Sequence, residues 1–331
     1  MTSDWKTAND WIIPERRLPP PSGASAEVCA ILAAEAAPQP FPMYSSLEEM
    51  AAGARESDAA RIAQINEAIP GLGITINQLE IGGVPVYEVV PGEPFEIHAE
   101  HLFLHIHGGA FLYGAGLACT AEAVEIAAQI GIRVLSIDYR MVPDHPAPAA
   151  LDDCLAVWQE LIRTTDPNTV VVGGTSAGGN LTLAMALKAR LMGLPRPGCL
   201  FVGTPCVDMA PVGDSRFLNT GVDRLLWGWE GSASQPLEIY TRDVALDDPG
   251  VSPIHGDFTD FPPTYLISGT RDLLLSDTVR VHRAIRNADS IADLHVYEGM
   301  AHADYVLMQG TPEYHEHFME LDAFIQSWLI P

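Results

Sequence analysis

Apolar and polar residues alternate along the stretch after Gly73, and a different pattern takes over farther along the chain. The segments Ile74–Ile81 and Val84–Val90 have a period of two and flank Gly82-Gly83, which predicts a β-hairpin. Short apolar segments then alternate with longer segments of helical periodicity. The predicted strands are Leu102–Ile106, Arg133–Ile137, Val170–Val172, Leu200–Val202, Thr264–Ser268 and Asp293–Tyr297, and the predicted helices are Thr120–Ile130, Ala149–Thr164, Asn180–Met192, Asp277–Ala288 and Thr311–Leu329. This alternation predicts an α/β fold with a mostly parallel, doubly wound sheet behind an antiparallel start.

Two regions lie outside this alternation. The N-terminal region contains two helical patterns, Ala24–Ala36 and Ser46–Ala68, and Ser46 and Glu49 have the spacing of a capping box. Together these helices indicate a lid segment. Between Pro205 and Pro263 the alternation stops again, in a region with several glycine, proline and aromatic residues. That region predicts an insertion over the C-terminal edge of the sheet.

Composition narrows the classes of partner. The 331 residues include 18 Lys and Arg against 43 Asp and Glu, a formal net charge of −25. Such a surface repels nucleic acid and anionic membranes, because phosphate binding needs clustered basic residues, and it favours a neutral substrate. The five cysteines contain no C-x-x-C pair, which argues against a disulfide framework and a cysteine zinc site. No signal peptide or membrane span is visible, so we expect a cytoplasmic protein without a membrane anchor.

The stretch Val170–Asn180 contains the most informative motif. A β-branched strand runs into a G-x-S-x-G sequence, Gly174-Thr175-Ser176-Ala177-Gly178, and a helical pattern follows at once. A sharp strand-to-helix turn of this kind exposes a serine Oγ as a nucleophile, and its glycines avoid collisions with the neighbouring strand and helix. Ser176 is therefore the candidate nucleophile. The N–H of Ala177, at the start of the helix, is a candidate donor to an oxyanion.

A second glycine motif follows the strand Leu102–Ile106. Small residues in the sequence His107-Gly108-Gly109-Ala110-Phe111 let backbone N–H groups approach a substrate oxygen closely. Such donors stabilise the tetrahedral intermediates of acyl transfer. Gly108, Gly109 and Ala110 are therefore candidates for an oxyanion hole. Alone this motif would indicate only a glycine turn, so the interpretation depends on the serine motif.

These two motifs, with Asp138-Tyr139-Arg140 and the run Pro143–Asp153, resemble the hormone-sensitive-lipase-like branch of the α/β-hydrolases from about Val84 to the C-terminus. The family usually has H-G-G-G and G-D-S-A-G. Here Ala110 replaces the third glycine and keeps its N–H, and Thr175 matches a sub-branch with G-T-S-A-G.

The resemblance implies an α/β-hydrolase fold with a helical cap in two parts. Residues 1–72 would form the N-terminal cap segment. Residues 73–331 would form the catalytic domain, with a second cap segment inserted at about 206–250. The aromatic residues of this insertion are expected either to line an apolar substrate pocket or to fill the core of the cap; they are Phe217, Trp227, Trp229 and Tyr240.

The resemblance also implies the two remaining members of a catalytic triad. In the family the acid is the first aspartate after the strand that corresponds to Thr264–Ser268, which is Asp272 here, and Asp277 is a competing candidate farther from the strand end. The family places its histidine after the last strand, where His302 lies. The chain order of serine, acid and histidine agrees with that of α/β-hydrolases. Leu273 stands where the family usually has proline.

The function implied by the resemblance is that of a carboxylesterase. It would cleave short to medium acyl esters through an acyl-enzyme on Ser176, with no cofactor and no metal. Amide or lactone cleavage would use the same triad and remains open, as does a catalytically inactive receptor of the same fold. A metal-dependent hydrolase is suggested by His101, His105 and His107, but no nearby carboxylate completes a ligand set. The resemblance also implies a homodimer that pairs through about Asp293–Leu329.

Overall fold

One eight-stranded sheet forms the centre of the protein in this computed structural model, which describes residues 17–35, 38–39, 43–229 and 234–329. Its strands are β1 (Thr75–Ile81), β2 (Val84–Val90), β3 (Leu102–Ile106), β4 (Arg133–Ile137), β5 (Val170–Thr175), β6 (Cys199–Gly203), β7 (Thr264–Gly269) and β8 (Ala292–Tyr297). Their order across the sheet is β1-β2-β4-β3-β5-β6-β7-β8. β2 pairs antiparallel with β1 and β4, and all other pairs are parallel. The predicted antiparallel start and parallel remainder are therefore confirmed.

The hairpin of β1 and β2 has the tight turn that its sequence predicts. Ile81 pairs with Val84, so the connection contains only Gly82 and Gly83. Both glycines have positive φ angles, 61° and 79°, which is the conformation required by a two-residue turn that matches the strand twist.

The helices cover the sheet from both sides. They are α1 (Ala26–Ala34), α2 (Leu47–Leu72), α3 (Ala121–Ile130), α4 (Ala149–Leu161), α5 (Ala177–Leu191), α6 (Ser215–Leu218), α7 (Gln235–Tyr240), α8 (Leu275–Asn287), α9 (Asp304–Leu307) and α10 (Pro312–Trp328). Within the described ranges, no helix combines the length and the apolar character that crossing a membrane requires.

Side chains of successive residues on β3 enter opposite core layers. Leu102, Leu104 and Ile106 belong to a cluster that includes α4, α5 and α8, whereas Phe103 belongs to a cluster that includes α3 and α10. Alternation of this kind follows from the two-residue period of a strand. Both faces of the sheet are thus covered, as in the predicted doubly wound fold.

The start of α5 differs from the prediction. The sequence pattern places this start at Asn180, whereas the helix begins at Ala177, directly after Ser176. β5 also extends past its predicted end at Val172 to Thr175, since Gly174 pairs with Val202 of β6. Glycine lowers the strand propensity of this stretch, but the pairing with its neighbour keeps it extended.

α2 continues beyond its predicted end at Ala68. Pro70 is tolerated in its last turn, and the helix closes at Gly73, whose φ of 66° and N–H bond to the Ile69 carbonyl form a left-handed cap. At the other end Ser46 Oγ accepts the Glu49 N–H at 3.1 Å, as predicted. The Glu49 carboxylate, however, accepts the N–H of Ser45 at 2.7 Å, so the second half of the predicted capping box is displaced by one residue.

The helix α2 and Tyr44, which precedes it, are attached to the loop after β3. Asp58 of α2 accepts the N–H groups of Gly114 and Ala115 at 2.8 and 3.0 Å, and Tyr44 OH lies 2.6 Å from Tyr113 OH. Of the predicted N-terminal cap segment, residues 1–16, 36–37 and 40–42 lie outside the described residues. The described part of this segment therefore contacts the region that follows the His107–Phe111 motif.

Candidate active site

Ser176 lies at a strained turn between β5 and α5. Its φ of 63° and ψ of −116° are a conformation that residues with side chains rarely adopt. The Ser176 N–H donates to the Gly203 carbonyl at 2.8 Å, and the Ser176 carbonyl accepts the Asn180 N–H at 3.0 Å. Such strain persists only where the surroundings hold it, and it is typical of functional sites.

The two glycines that flank the turn permit its close approach to β3. A Cβ on Gly174 would lie 1.8 Å from the Ile106 carbonyl oxygen, and a Cβ on Gly178 would lie 1.9 Å from the same atom. These distances are far shorter than van der Waals contact. The predicted reason for both glycines, collision with a neighbouring element, therefore agrees with the packing, and the neighbour is the end of β3.

The His107–Phe111 segment lies beside this turn. A Cβ on Gly108 would lie 2.7 Å from the Thr175 carbonyl oxygen, and Gly109, Ala110 and Phe111 all have positive φ angles. Among the described residues, no acceptor takes the N–H groups of Gly108, Gly109, Ala110 or Ala177. Ala110 and Ala177 line one cavity together with Ser176. The four predicted oxyanion donors thus lie near the serine with free N–H groups.

His107 supports this segment as a buried, neutral side chain. Its ring stacks on Tyr139 with 4.1 Å between ring centroids, and its Nδ1 lies 2.7 Å from the Gly108 carbonyl oxygen. Burial lowers the pKa of His107 to about 3. The Tyr139 hydroxyl donates to the His107 carbonyl at 2.8 Å.

Asp272 and His302 are in direct contact at the ends of β7 and β8. His302 Nδ1 lies 3.2 Å from Asp272 Oδ1 and 3.0 Å from Thr204 Oγ1. Ser268 Oγ donates to Asp272 Oδ2 at 2.6 Å, the Leu274 N–H donates to Oδ1 at 2.8 Å, and Thr204 Oγ1 also donates to Oδ2. Asp272 is fully buried, so these donors replace the water that a carboxylate would otherwise bind.

These contacts lower the pKa of Asp272 and raise the pKa of His302, and both shifts favour an ion pair between them. Burial alone would raise the pKa of Asp272, but the hydrogen bond and charge of His302, with the Ser268 and Thr204 hydroxyls, hold that pKa below its ordinary value. Burial alone would lower the pKa of His302, but the hydrogen bond and charge of Asp272, with the charges of Asp223 and Asp304, raise it above its ordinary value.

The end of β6 connects Ser176 to the pair of Asp272 and His302. Gly203 accepts the Ser176 N–H, and the next residue, Thr204, contacts both His302 and Asp272. Within the described part of the chain, Ser176 Oγ forms no hydrogen bond, to His302 or to any other residue. Catalytic hydrogen bonds are often long before substrate binds, so the side chain is free to turn toward an incoming carbonyl.

Asp277, the competing acid, has a different partner. Its Oδ2 forms a 2.6 Å ion pair with Arg216, both side chains are fully buried, and Oδ2 also accepts the Val207 N–H at 3.0 Å. Arg216 donates further to the carbonyls of Ala210 and Asp208, both at 2.6 Å. Asp277 therefore holds the chain after β6 in place, whereas Asp272 is the carboxylate that contacts His302.

A small cavity opens beside Ser176. Its volume is about 30 Å³, and its lining residues are Ala110, Phe111, Ser176, Ala177, Cys206, Leu226, Trp229, Leu237 and Leu274. The Arg216 guanidinium lies 3.7 Å from the centroid of the Trp229 ring. Of the four aromatic residues considered for a pocket, Trp229 lines this cavity, Tyr240 is buried in a stack on Phe111, Trp227 is partly buried and Phe217 is about half exposed. Their positions in the structure therefore differ from one another.

The histidines suggested for a metal site have other partners. His101 Nδ1 lies 3.0 Å from His98 Nδ1, and His105 lies 3.1 Å from Glu122 and 2.9 Å from Ser136. In the ranges that the structure describes, no group of three or more histidine, cysteine, aspartate or glutamate side chains is arranged to hold a metal ion. Glu122 connects His105 to the serine turn, because its other carboxylate oxygen accepts the Thr175 hydroxyl.

The polar residues around Asp272 were missed by the sequence reasoning. Asp223, a fully buried residue of the predicted second cap segment, accepts the Leu273 N–H at 2.8 Å. Asn219 Nδ2 donates to the Asp272 carbonyl at 2.8 Å. Thr204 and Ser268 supply the hydroxyl groups. These residues come from separate parts of the chain and belong to no motif, so no sequence signal marked them.

Arg224 connects both predicted cap segments to the loop that carries His302. Arg224 lies 3.0 Å from Glu35, just after α1, and 3.4 Å from Asp304. Asp304 in turn accepts the Ala301 N–H at 2.8 Å, and burial raises its pKa to about 6 against the opposing charge of Arg224. The loop that carries His302 is thus connected to residues from both predicted cap segments.

Replacement of Gly178 by alanine tests the close approach of the turn to β3. Gly178→Ala places a methyl group against the Ile106 carbonyl, so the free energy of unfolding should fall by about 3 kcal/mol or more. The measurement is urea unfolding followed by circular dichroism. Gly71→Ala is the matched control, since a Cβ there meets nothing within 4 Å, and it should leave stability unchanged or raise it by up to about 1 kcal/mol. Equal stabilities for the two variants would contradict the packing constraint.

Comparisons with known proteins agree with this geometry. Residues 103–306 match the family described as alpha/beta hydrolase fold. An esterase of Acinetobacter venetianus is 28% identical over 255 residues, which cover 77% of this chain and 82% of that protein. The crystal structure of esterase E25 matches with a TM-score of 0.94 at 41% identity, and the match covers 97% of this chain and 100% of that one. A hormone-sensitive lipase from a metagenome library has a TM-score of 0.72 at 27% identity, over 78% of this chain and 85% of that one.

The matched region contains the serine motif Gly174–Gly178, the motif His107–Phe111, and the residues Asp272 and His302. The sheet has eight strands and is mostly parallel, and the solved structures that resemble it include esterases. Both findings agree with the α/β-hydrolase fold indicated by the sequence match. The chain therefore belongs to the α/β-hydrolase fold family and, within it, to the hormone-sensitive-lipase-like carboxylesterases.

Proposed function

We propose that this carboxylesterase hydrolyses small neutral esters with short acyl groups, using Ser176, His302 and Asp272 as its catalytic triad. The observation that carries the proposal is the buried contact of Asp272 with His302, which the end of β6 connects through Thr204 and Gly203 to a strained, partly exposed serine at a strand-to-helix turn. The same arrangement of nucleophile, base and orienting carboxylate occurs in α/β-hydrolases.

Ser176 Oγ attacks the ester carbonyl while His302 Nε2 accepts its proton. Asp272 accepts the Nδ1–H of His302, which fixes the tautomer whose Nε2 is free to act as a base, and it stabilises the imidazolium that forms. His302 then protonates the leaving alcohol. Water, activated by the same histidine, releases the acid from the acyl-enzyme in a second round.

The N–H groups of Gly108, Gly109, Ala110 and Ala177 are the proposed donors to the oxyanion. Their lack of acceptors in the described structure supports this role, since an N–H without a protein acceptor is available to an incoming substrate oxygen. Ala110 keeps its N–H at the family's third glycine position, although its φ of 53° is a left-handed conformation that is less favourable for alanine than for glycine.

The cavity beside Ser176 supports a short acyl group. A volume of about 30 Å³ holds about two water-sized groups, close to the size of an acetyl group. Trp229, Leu226 and Leu237 form its walls on the side of the second cap segment. Its lining is largely apolar, and the chain carries a net charge of −25, so both features favour a neutral substrate over an anionic one.

Removal of the nucleophile tests the proposal directly. Ser176→Ala should lower kcat for p-nitrophenyl acetate by about 10⁶-fold, because the three triad residues act as a unit. A fluorophosphonate probe should label the unsubstituted protein stoichiometrically and leave the variant unlabelled. The same assay with amide and lactone substrates compares the rate of ester cleavage with the rates of the other acyl transfers. Full activity in Ser176→Ala would refute the triad, and failure of labelling in the unsubstituted protein would favour a non-catalytic receptor.

The pH profile tests the role of Asp272. Only neutral His302 accepts a proton, so kcat/KM should fall as the pH drops through a pKa above the ordinary histidine value of about 6.5. Asp272→Asn removes the charge that raises this pKa, so the acid limb should move to lower pH and kcat should fall by about 10⁴-fold. Asp247→Asn, at an exposed carboxylate, is the charge-matched control. An acid limb at the same pH in Asp272→Asn would contradict the assignment.

The cavity wall gives a prediction about chain length. Trp229→Ala should open the cavity toward longer acyl groups and raise the ratio of octanoate to acetate hydrolysis roughly tenfold, in line with the energy of one or more methylene groups in an apolar pocket. The measurement is kcat/KM on p-nitrophenyl esters of graded length. Leu225→Ala, at an exposed position of the same segment, should leave the ratio unchanged. The same ratio in Trp229→Ala as in the unsubstituted protein would show that acyl groups bind elsewhere.

A further inference from the structure

Thr204 occupies an unusual position next to the catalytic pair. It follows β6 directly, and its φ of 34° lies in a region that β-branched residues rarely enter. Its N–H donates to the Ile267 carbonyl of β7 at 2.7 Å, and Pro205 comes next in the chain. The backbone strain is thus held by pairing on one side and by a proline on the other, and strain of this kind concentrates at functional sites.

The Thr204 hydroxyl contacts both partners of the ion pair. Thr204 is fully buried, its Oγ1 donates to Asp272 Oδ2, and the same oxygen lies 3.0 Å from His302 Nδ1. The distance from His302 Nδ1 to Asp272 Oδ1 is longer, 3.2 Å. The His302 N–H therefore lies between two oxygens, and the threonine oxygen is the nearer one.

The direction of each hydrogen bond follows from the number of protons. A hydroxyl has one proton, and the ionised carboxylate of Asp272 has none to give, so Thr204 must donate to Asp272. Toward His302 the same oxygen is then an acceptor. It can fill this role only if Nδ1 carries a proton, and in the neutral imidazole this tautomer leaves Nε2 unprotonated and able to act as a base.

We propose that Thr204 is a positioning residue that holds His302 in its active tautomer and ring orientation by sharing the Nδ1–H with Asp272. The inference rests on the proposed triad. Ser268 provides the comparison that separates this role from general support of the carboxylate, because its hydroxyl donates to the same Asp272 oxygen and, within the described residues, forms no hydrogen bond with His302. Thr204 does not line the cavity beside Ser176, so its effect is on the chemical step and not on substrate binding.

Kinetics of Thr204 variants test the inference. Thr204→Val keeps the side-chain shape and removes the hydroxyl, so kcat for p-nitrophenyl acetate should fall about 10- to 100-fold while KM stays within about threefold. The rate of fluorophosphonate labelling at Ser176 should fall in parallel, because it also depends on His302 as a base. Thr204→Ser restores the hydroxyl and should recover activity to within about threefold of the unsubstituted protein.

Three controls make the result interpretable. Ser268→Ala should lower kcat less than Thr204→Val does, and equal losses would overturn the inference, since the effect would then come through Asp272 alone. Thermal unfolding checks that each variant is folded, and Thr204→Ala replaces Thr204→Val if the valine variant is not. Full activity in folded Thr204→Val, or no recovery in Thr204→Ser, would likewise overturn it. Ser176→Ala separates the two failures: its full activity would refute the triad, whereas its inactivity beside an active Thr204→Val would refute only the role of Thr204.

Discussion

The approach of the serine turn to the end of β3 is the contact on which the site depends. Gly174 and Gly178 both face the Ile106 carbonyl oxygen with no room for a side chain. Because the turn lies this close, Ser176 is held near the Gly108–Ala110 segment that continues β3, and its N–H reaches Gly203 at the end of β6. One backbone contact thus sets the relative positions of the nucleophile, the candidate oxyanion donors and the strand that leads to Thr204.

Local signals in the sequence predicted much of this arrangement. β3 and β4 have their predicted bounds, because each is a short, mostly apolar segment that a polar residue follows directly, His107 after β3 and Asp138 after β4. Ser176 and Gly108 were proposed because each lies in a glycine motif directly after a strand, and Asp272 and His302 were proposed from the family resemblance. The helix start at Ala177 was misplaced by three residues, because the glycines that permit close packing also weaken the local signal for regular structure.

Contacts between distant parts of the chain were beyond the reach of such signals. Thr204 meets Asp272 and His302 across separations of 68 and 98 residues, and Arg216 meets Asp277 across 61. Threonine and arginine have many uses in proteins, and only the folded sheet shows that these two are fully buried beside acidic partners. Asp277 competed with Asp272 as a candidate acid in one stretch of sequence, and in the structure their partners differ, since Asp272 contacts His302 and Asp277 pairs with Arg216.

Asp223 accepts the Leu273 N–H, and Asn219 donates to the Asp272 carbonyl. These two bonds have a consequence for exchange of residues 206–250 between related proteins. A lid that merely covered a pocket would be an exchangeable module, and recombination between relatives would swap substrate preference freely. Here residues 206–250 also supply hydrogen-bond partners to the backbone that carries the acid. A chimaera that imports a foreign segment without an equivalent carboxylate leaves a buried N–H unpaired next to Asp272. A chimaera that keeps the segment together with its own acid loop, as one unit, avoids this defect.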